Sequence, residues 1–219
     1  MAEHDRHNPS IHTTIFQTNR LLLEPIKRLV KYVPASITGD HLTLMSLIWS
    51  ALAILAGFLA KRRREWLLLI PVLVMCHIVT DTLDGQVGRY RGIPGTKWGY
   101  FMDHFMDFTV GSSIFVAFLL YLHPRYHLLF FGIYLAAIST MIVSFLSIDK
   151  KGLDITGCIG KYCLSCTEGQ ILLAVLAVYL YISKRNPNKT GLLVFLTVML
   201  VFAIGNVYTK QKYIKNKGD

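Results

Sequence analysis

The feature that most constrains this chain is a series of long apolar stretches joined by short basic connections. Six are legible: Leu42–Ala60, Trp66–Arg89, Gly99–Leu122, His127–Ile148, Cys163–Ser183 and Thr190–Tyr208. An α-helix needs about 20 apolar residues to cross the hydrocarbon core of a bilayer. Lipid offers backbone amides no partners, so a spanning segment must satisfy its own hydrogen bonds. The expected fold is therefore all-α, an integral membrane bundle of six transmembrane helices. A chain that is 53% hydrophobic and only 16% charged excludes an ordinary soluble domain.

Ahead of the first span, residues 1–20 are polar and read as irregular. Leu22, Ile26, Leu29, Val30 and Val33 then recur at helical spacing, with Lys27, Arg28 and Lys31 elsewhere on the wheel. Pro25 suits a first helical turn and Pro34 ends the pattern. This predicts an N-terminal amphipathic interfacial helix. The division expected is residues 1–40 as arm and amphipathic juxtamembrane helix, and 41–219 as a six-helix transmembrane domain. The polar opening, followed by no short apolar run, predicts no cleavable signal peptide.

Two of the spans carry carboxylates where a membrane helix should have none. On the second, Asp81, Asp84, Gly85, Gly88 and Arg89 stand at i, i+3, i+4, i+7 and i+8. On the third, Gly99, Asp103 and Asp107 stand at i, i+4 and i+8. Each set occupies one helix face. Gly92, Pro94 and Gly95 mark a turn between them, so the two faces can confront each other across a hairpin. A charged residue costs roughly 2.5–3.5 kcal/mol at a membrane-helix centre on insertion scales. Clustered carboxylates also repel one another, so a positive group belongs between them. Oxygen-only ligands suit a hard divalent cation, glycines admit a close backbone approach, and Arg89 can grip a phosphate. Cation, phosphate and a spare carboxylate point to phosphoryl transfer. The plainer alternative, charges snorkelling at helix ends, does not account for matched spacing on two helices.

The run Asp81-x2-Asp84-Gly85-x2-Gly88-Arg89, followed by Gly99-x3-Asp103-x3-Asp107, resembles the motif of the CDP-alcohol phosphotransferases, D-x2-D-G-x2-A-R-x8-G-x3-D-x3-D. It covers 27 residues and departs twice: Gly88 replaces Ala, and nine residues rather than eight separate Arg89 from Gly99. The extra residue falls in the turn, where insertions are best tolerated. The resemblance implies a metal-dependent membrane enzyme of phospholipid synthesis. Such an enzyme transfers a substituted phosphate from a CDP-alcohol to an acceptor hydroxyl and releases CMP. It implies Asp81, Asp84, Asp103 and Asp107 as ligands of Mg²⁺ or Mn²⁺, and Asp107 as general base. Asp81, Gly85, Gly88 and Arg89 would bind nucleotide and phosphate. The partners expected are the CDP-alcohol, a lipid or polar-alcohol acceptor, the membrane and a second copy in a homodimer. The chain shows no nucleic-acid motif, and its net charge of +10 lies between apolar segments, where anionic headgroups and a nucleotide explain it.

Related enzymes often place a polar residue near the start of the first span to hold the nucleotide, the position of Thr43; Asp40 there reads equally as a helix cap. Thr167–Gly169 resembles a segment of choline and ethanolamine phosphotransferases, which makes Glu168 a candidate for the acceptor pocket or a dipole-favoured capping carboxylate. His77 shares the Asp81 face and is a candidate support for the ligands. His104 lies about 100° off the carboxylate face and reads as structural. Cys163-x2-Cys166 has zinc-like spacing but no second pair, so Cys158, Cys163 and Cys166 read as thiols.

Lys and Arg in the connections set orientation. Fifteen lie on the side of the termini and the Asp81–Asp107 hairpin, and eight on the other, including the run Lys61–Arg64. This predicts an active site facing the cytoplasm. Two substrate arrangements fit one motif. The short chain favours CDP-diacylglycerol as donor to a polar alcohol, whereas the DHFMD string around Asp103 and the segment at Glu168 lean towards CDP-choline or CDP-ethanolamine with diacylglycerol as acceptor. An unrelated class, a cation channel or transporter with an intramembrane acidic site, predicts ion flux without CMP release.

Overall fold

A computed structural model describes residues 13–14, 24–145, 157–159, 162–164, 166–184 and 188–215. Helices dominate: α1 (Glu24–Lys27), α2 (Gly39–Ala60), α3 (Leu69–Tyr90), α4 (Lys97–Tyr121), α5 (His127–Phe145), α6 (Cys166–Ile182) and α7 (Lys189–Lys215). Three of the helical stretches, Gly39–Ala60, Arg64–Tyr90 and Lys97–Tyr121, are long and apolar enough to cross a membrane by length and composition. All-α holds with one small departure. Strands β1 (Thr13–Thr14), β2 (Gly157–Ile159) and β3 (Tyr162–Leu164) form a minimal sheet in the order β1-β3-β2. Thr13–Thr14 is thus a strand inside the arm expected to be irregular.

Helix boundaries follow local chemistry. Thr38, not Asp40, caps α2: its hydroxyl accepts from the His41 amide, and His41 Nδ1 accepts from the Thr38 amide at 3.1 Å. Asp40 stays in the first turn, where the helix dipole favours an acid. The second span begins as a 3₁₀ turn over Arg64–Leu68 before α3 takes over at Leu69. Cys163 lies in β3, so α6 starts three residues later than expected, and α7 runs past Tyr208 to Lys215. The arm ahead of α2 is one α-turn followed by a 3₁₀ helix, Arg28–Tyr32, rather than one amphipathic helix. Ile26 is its buried anchor, while Leu29 and Tyr32 are exposed. Arg91, just past α3, ties the segment between this 3₁₀ helix and α2 to the bundle by donating to the carbonyls of Ile37 (2.6 Å), Pro34 (2.9 Å) and Val33 (3.4 Å).

Packing of α2 puts mainly small residues inside and large apolar ones outside, as a bilayer allows and water would not. On α2 the inner seam is Ser46, Ser50, Ala53, Gly57 and Ala60, all buried, while Leu47, Ile48, Leu55 and Phe58 are exposed. Small seams let helices approach closely. A Cβ on Gly57 would collide with the backbone of Ala117, so α2 and α4 touch there main chain to main chain. α2 packs on both α3 and α4, α6 lies against α3, and α5 pairs with α7. Phe118 of α4 meets Phe130 of α5 edge to face, centroids 6.1 Å apart. Exposed Tyr32, Tyr90 and Trp98 ring the hairpin end, and exposed Trp66 the other, a distribution suited to membrane–water interfaces.

The hairpin that carries the acidic faces is bounded by two stop signals. α3 ends in a Schellman motif: the amide of Ile93 donates to Gly88 O (2.9 Å) and that of Gly92 to Arg89 O (3.2 Å). Gly92 takes φ +69°, a left-handed conformation that glycine adopts at no steric cost. α4 starts where the Thr96 hydroxyl accepts from the Gly99 amide at 2.9 Å.

Candidate active site

The hairpin brings the two acidic faces together. Oxygens of Asp81, Asp84 and Asp103 lie within 4.8 Å of one another, and His77, Asp81 and Asp107 form a second trio at the same spacing. Asp81 belongs to both. Carboxylates this close in a half-buried, lipid-flanked setting fit a hard divalent cation, which would replace their mutual repulsion with attraction. Helix periodicity makes the arrangement: Asp81 and Asp84 are one turn apart on α3, Asp103 and Asp107 one turn apart on α4.

Each carboxylate has a distinct setting. Asp84 accepts from its neighbour's amide, Gly85 N–H, and from the Thr43 hydroxyl of α2 at 2.7 Å. Thr43 therefore enters the pocket from a third helix. Gly39, the first residue of α2, has no room for a Cβ, which would stand 2.9 Å from Asp84 O. The side chain of Asp103 is 36% exposed and that of Asp107 15% exposed, so the pocket deepens from Asp103 to Asp107. Asp107 Oδ1 accepts from His77 Nε2 at 2.9 Å and from Gln170 Nε2 of α6 at 2.8 Å. His77 is fully buried, and its other ring nitrogen lies 3.2 Å from Ser46 Oγ on α2.

Arg89 is exposed at the end of α3. Its guanidinium folds back over Gly85, where a Cβ would stand 3.2 Å from Nη2, so the space above this glycine holds the arginine's own side chain. At Gly88 an added Cβ would meet only Ile93 O at 3.9 Å, an ordinary contact, so the alanine of the general motif would fit. Gly99 sits at the cap of α4, where its amide bonds Thr96. His104 sits beside the carboxylate face: Nδ1 lies 3.1 Å from Tyr100 O and 3.4 Å from Asp103 Oδ2, and its ring lies 4.1 Å from that of Tyr100. Glu168, in the first turn of α6, is fully buried. The side chains of Cys158, Cys163 and Cys166 lie outside the described residues.

Ser46 and Gln170 belong to this constellation without having been singled out from sequence. Ser46 had a readable signal. Gly39, Thr43, Ser46 and Ser50 form a small, polar stripe at i, i+4, i+7 and i+11 on a span otherwise rich in Leu and Ile. Gln170 had a weaker one, as the polar residue immediately before the apolar run that opens at Ile171 and two beyond Glu168.

No curated protein matches the chain. The model of one family, CDP-alcohol phosphatidyltransferase, matches residues 33–209 and so takes in every helix from α2 to α6 and most of α7. The protein is a membrane-embedded transferase, and its chain belongs to the CDP-alcohol phosphatidyltransferase family.

Proposed function

We propose that this protein makes a phospholipid by transferring the phosphatidyl group of CDP-diacylglycerol to a polar alcohol, releasing CMP. The observation that carries the reading is the meeting of two carboxylate-bearing helix faces beside Arg89. The reading takes residues 41–219 as the catalytic bundle of six spans, residues 1–40 as an arm at the membrane interface, and the pocket as open to the cytoplasm. A homodimer is the expected assembly.

Asp81, Asp84 and Asp103, with Asp107 at the deep edge, are the residues to hold Mg²⁺ or Mn²⁺. Bound there, such a cation would neutralise charge on the diphosphate and on departing CMP. Arg89 swings from Gly85 to the phosphate oxygens, which its planar fork suits. Thr43 holds Asp84 in place from α2. Gly85 and Gly88 leave the α3 surface low for the nucleotide. Asp107 takes the proton of the acceptor hydroxyl. The acceptor oxygen forms a bond to the phosphorus that carries the alcohol, and the bond from that phosphorus to the CMP oxygen breaks. The electron pair leaves on CMP.

A second reading draws on one specific contact. Gln170 belongs to the same first turns of α6 as Glu168, and its bond to Asp107 brings this acceptor-side segment to the pocket. That favours diacylglycerol as acceptor and CDP-choline or CDP-ethanolamine as donor. The experiment is CMP release by purified protein across a panel of CDP-alcohols and acceptors, with and without a chelator. Turnover with CDP-diacylglycerol and a polar alcohol supports the first reading, and turnover with diacylglycerol the second. Undiminished activity in metal-free buffer removes the cation from the mechanism. Ion flux with no CMP from any pair would replace the enzyme with a channel.

A further inference from the structure

We propose that His77 and Gln170 are positioning residues that fix the Asp107 carboxylate for proton acceptance; this rests on the reading of Asp107 as general base. A carboxylate rotates freely about its last torsion, whose energy profile is broad. Here two donors from two helices converge on one oxygen. His77 Nε2 of α3 stands 2.9 Å and Gln170 Nε2 of α6 stands 2.8 Å from Asp107 Oδ1. Both side chains are buried, His77 completely and Gln170 with 6% exposure. Neither donor has bulk water to turn to.

With Asp107 ionised and His77 neutral, the chemistry of the partners sets the donor at each of these contacts. An ionised carboxylate only accepts, so the Gln170 amide must present its nitrogen. A neutral imidazole has one N–H, and using it at Nε2 leaves Nδ1 as acceptor. Ser46 Oγ, 3.2 Å from Nδ1, is the hydroxyl that can donate there. Ser46 thus selects the His77 tautomer that serves Asp107, and α2, α3 and α6 together orient one side chain of α4. With two donors from two helices on Oδ1, the clamp fixes the plane of the Asp107 carboxylate.

The test uses the full-length protein and whichever donor–acceptor pair supports CMP release. His77→Ala and Gln170→Ala should each lower kcat by about 10–100-fold, the range seen when supporting partners of a reactive group are removed. KM for the CDP-alcohol, its equilibrium binding and the half-saturating metal concentration should stay at wild-type values. His77→Gln places an amide nitrogen near the position of Nε2 and should restore most of the turnover. Gln170→Glu sets a second carboxylate against Oδ1 and should fall below Gln170→Ala. Thermal unfolding of each variant identifies any that fails to fold; if His77→Ala does, the Gln170 pair carries the comparison. Nucleotide binding or metal dependence falling in step with kcat would make these residues ligands or scaffold, and the proposal fails. It also fails if His77→Gln is as slow as His77→Ala, or if all variants match wild type. If wild-type protein releases no CMP from any pair, the enzymatic reading itself falls and takes the clamp with it.

Discussion

Replacing Gly57 with Ala should loosen the bundle, whereas the same change at Gly111 should tighten it. Both glycines lie inside long helices, so both variants gain the helix propensity of Ala over Gly, about 0.8–1 kcal/mol. The difference between them isolates the steric term. At Gly57 the new methyl would overlap Cα, O and Cβ of Ala117, two of them main-chain atoms that move only if α2 and α4 separate. At Gly111 nothing within 4 Å receives it. Overpacking of a well-filled contact costs typically about 1–3 kcal/mol. Gly57→Ala should therefore be less stable than Gly111→Ala by about 1–3 kcal/mol, and close to or below wild type on its own. Graded unfolding in sodium dodecyl sulfate, followed by loss of helicity in one detergent background, measures the order. The expected midpoints run Gly111→Ala, wild type, Gly57→Ala. If the two variants shift together and in the same direction, the backbone contact between α2 and α4 does not exist and the packing account is wrong.

Two further substitutions separate roles in the pocket. Asp81→Asn, which removes the carboxylate charge of the residue common to both trios, should lose metal-dependent CDP-alcohol binding along with turnover, and added metal should restore part of each. Asp107→Asn should keep much of that binding but lose turnover by about 10²–10⁴-fold, the usual cost of a missing general base. Binding and turnover measured over a metal titration decide, and the reverse pattern would exchange the two assignments. Orientation is tested by cysteines introduced at Gly95 and Asn216 after replacement of the four native ones. An impermeant thiol reagent should label neither from outside intact cells, and labelling of either would invert the bundle.

The parts of this architecture governed by short-range periodicity were legible in the sequence. Asp81 and Asp84, or Asp103 and Asp107, share a face because a helix repeats every 3.6 residues, and nothing tertiary intervenes. The helical stretches from α2 to α7 follow from apolar length in the same way, to within three residues at their ends, save that α7 runs seven residues past Tyr208. What sequence did not give is mostly a contact between helices distant in the chain. Thr43 meets Asp84, and Gln170 meets Asp107, across 41 and 63 residues; a lone polar side chain on an apolar span does not announce which neighbour it will face. The cap of α2 was a local contest. Thr38 and Asp40 are both good caps, and the reciprocal bond available only to Thr38 with His41 decided it. The arm before α2 carried a helical pattern too short to hold one α-helix by itself, and residues 28–32 are a 3₁₀ helix, with Arg91 holding the carbonyls of Pro34 and Ile37 just beyond it.

The pair of stop signals in the hairpin has a consequence for how this family can vary. Because Gly92 ends α3 and Thr96 starts α4, the positions of Asp84 and Asp103 are set by hydrogen bonds inside each helix, not by the length of chain between them. Pro94 and Gly95 act as an expansion joint. The one residue by which this chain exceeds the general motif can be taken up there while the acidic register stays in tune. Drift in the length of this joint is thereby invisible to the chemistry, so lineages can lengthen or shorten it under selection for something else, such as what the exposed tip meets in the aqueous phase. An experimenter inherits the same freedom: the tip at Gly95, where no neighbour lies within 4 Å, is a natural place to splice in a reporter peptide.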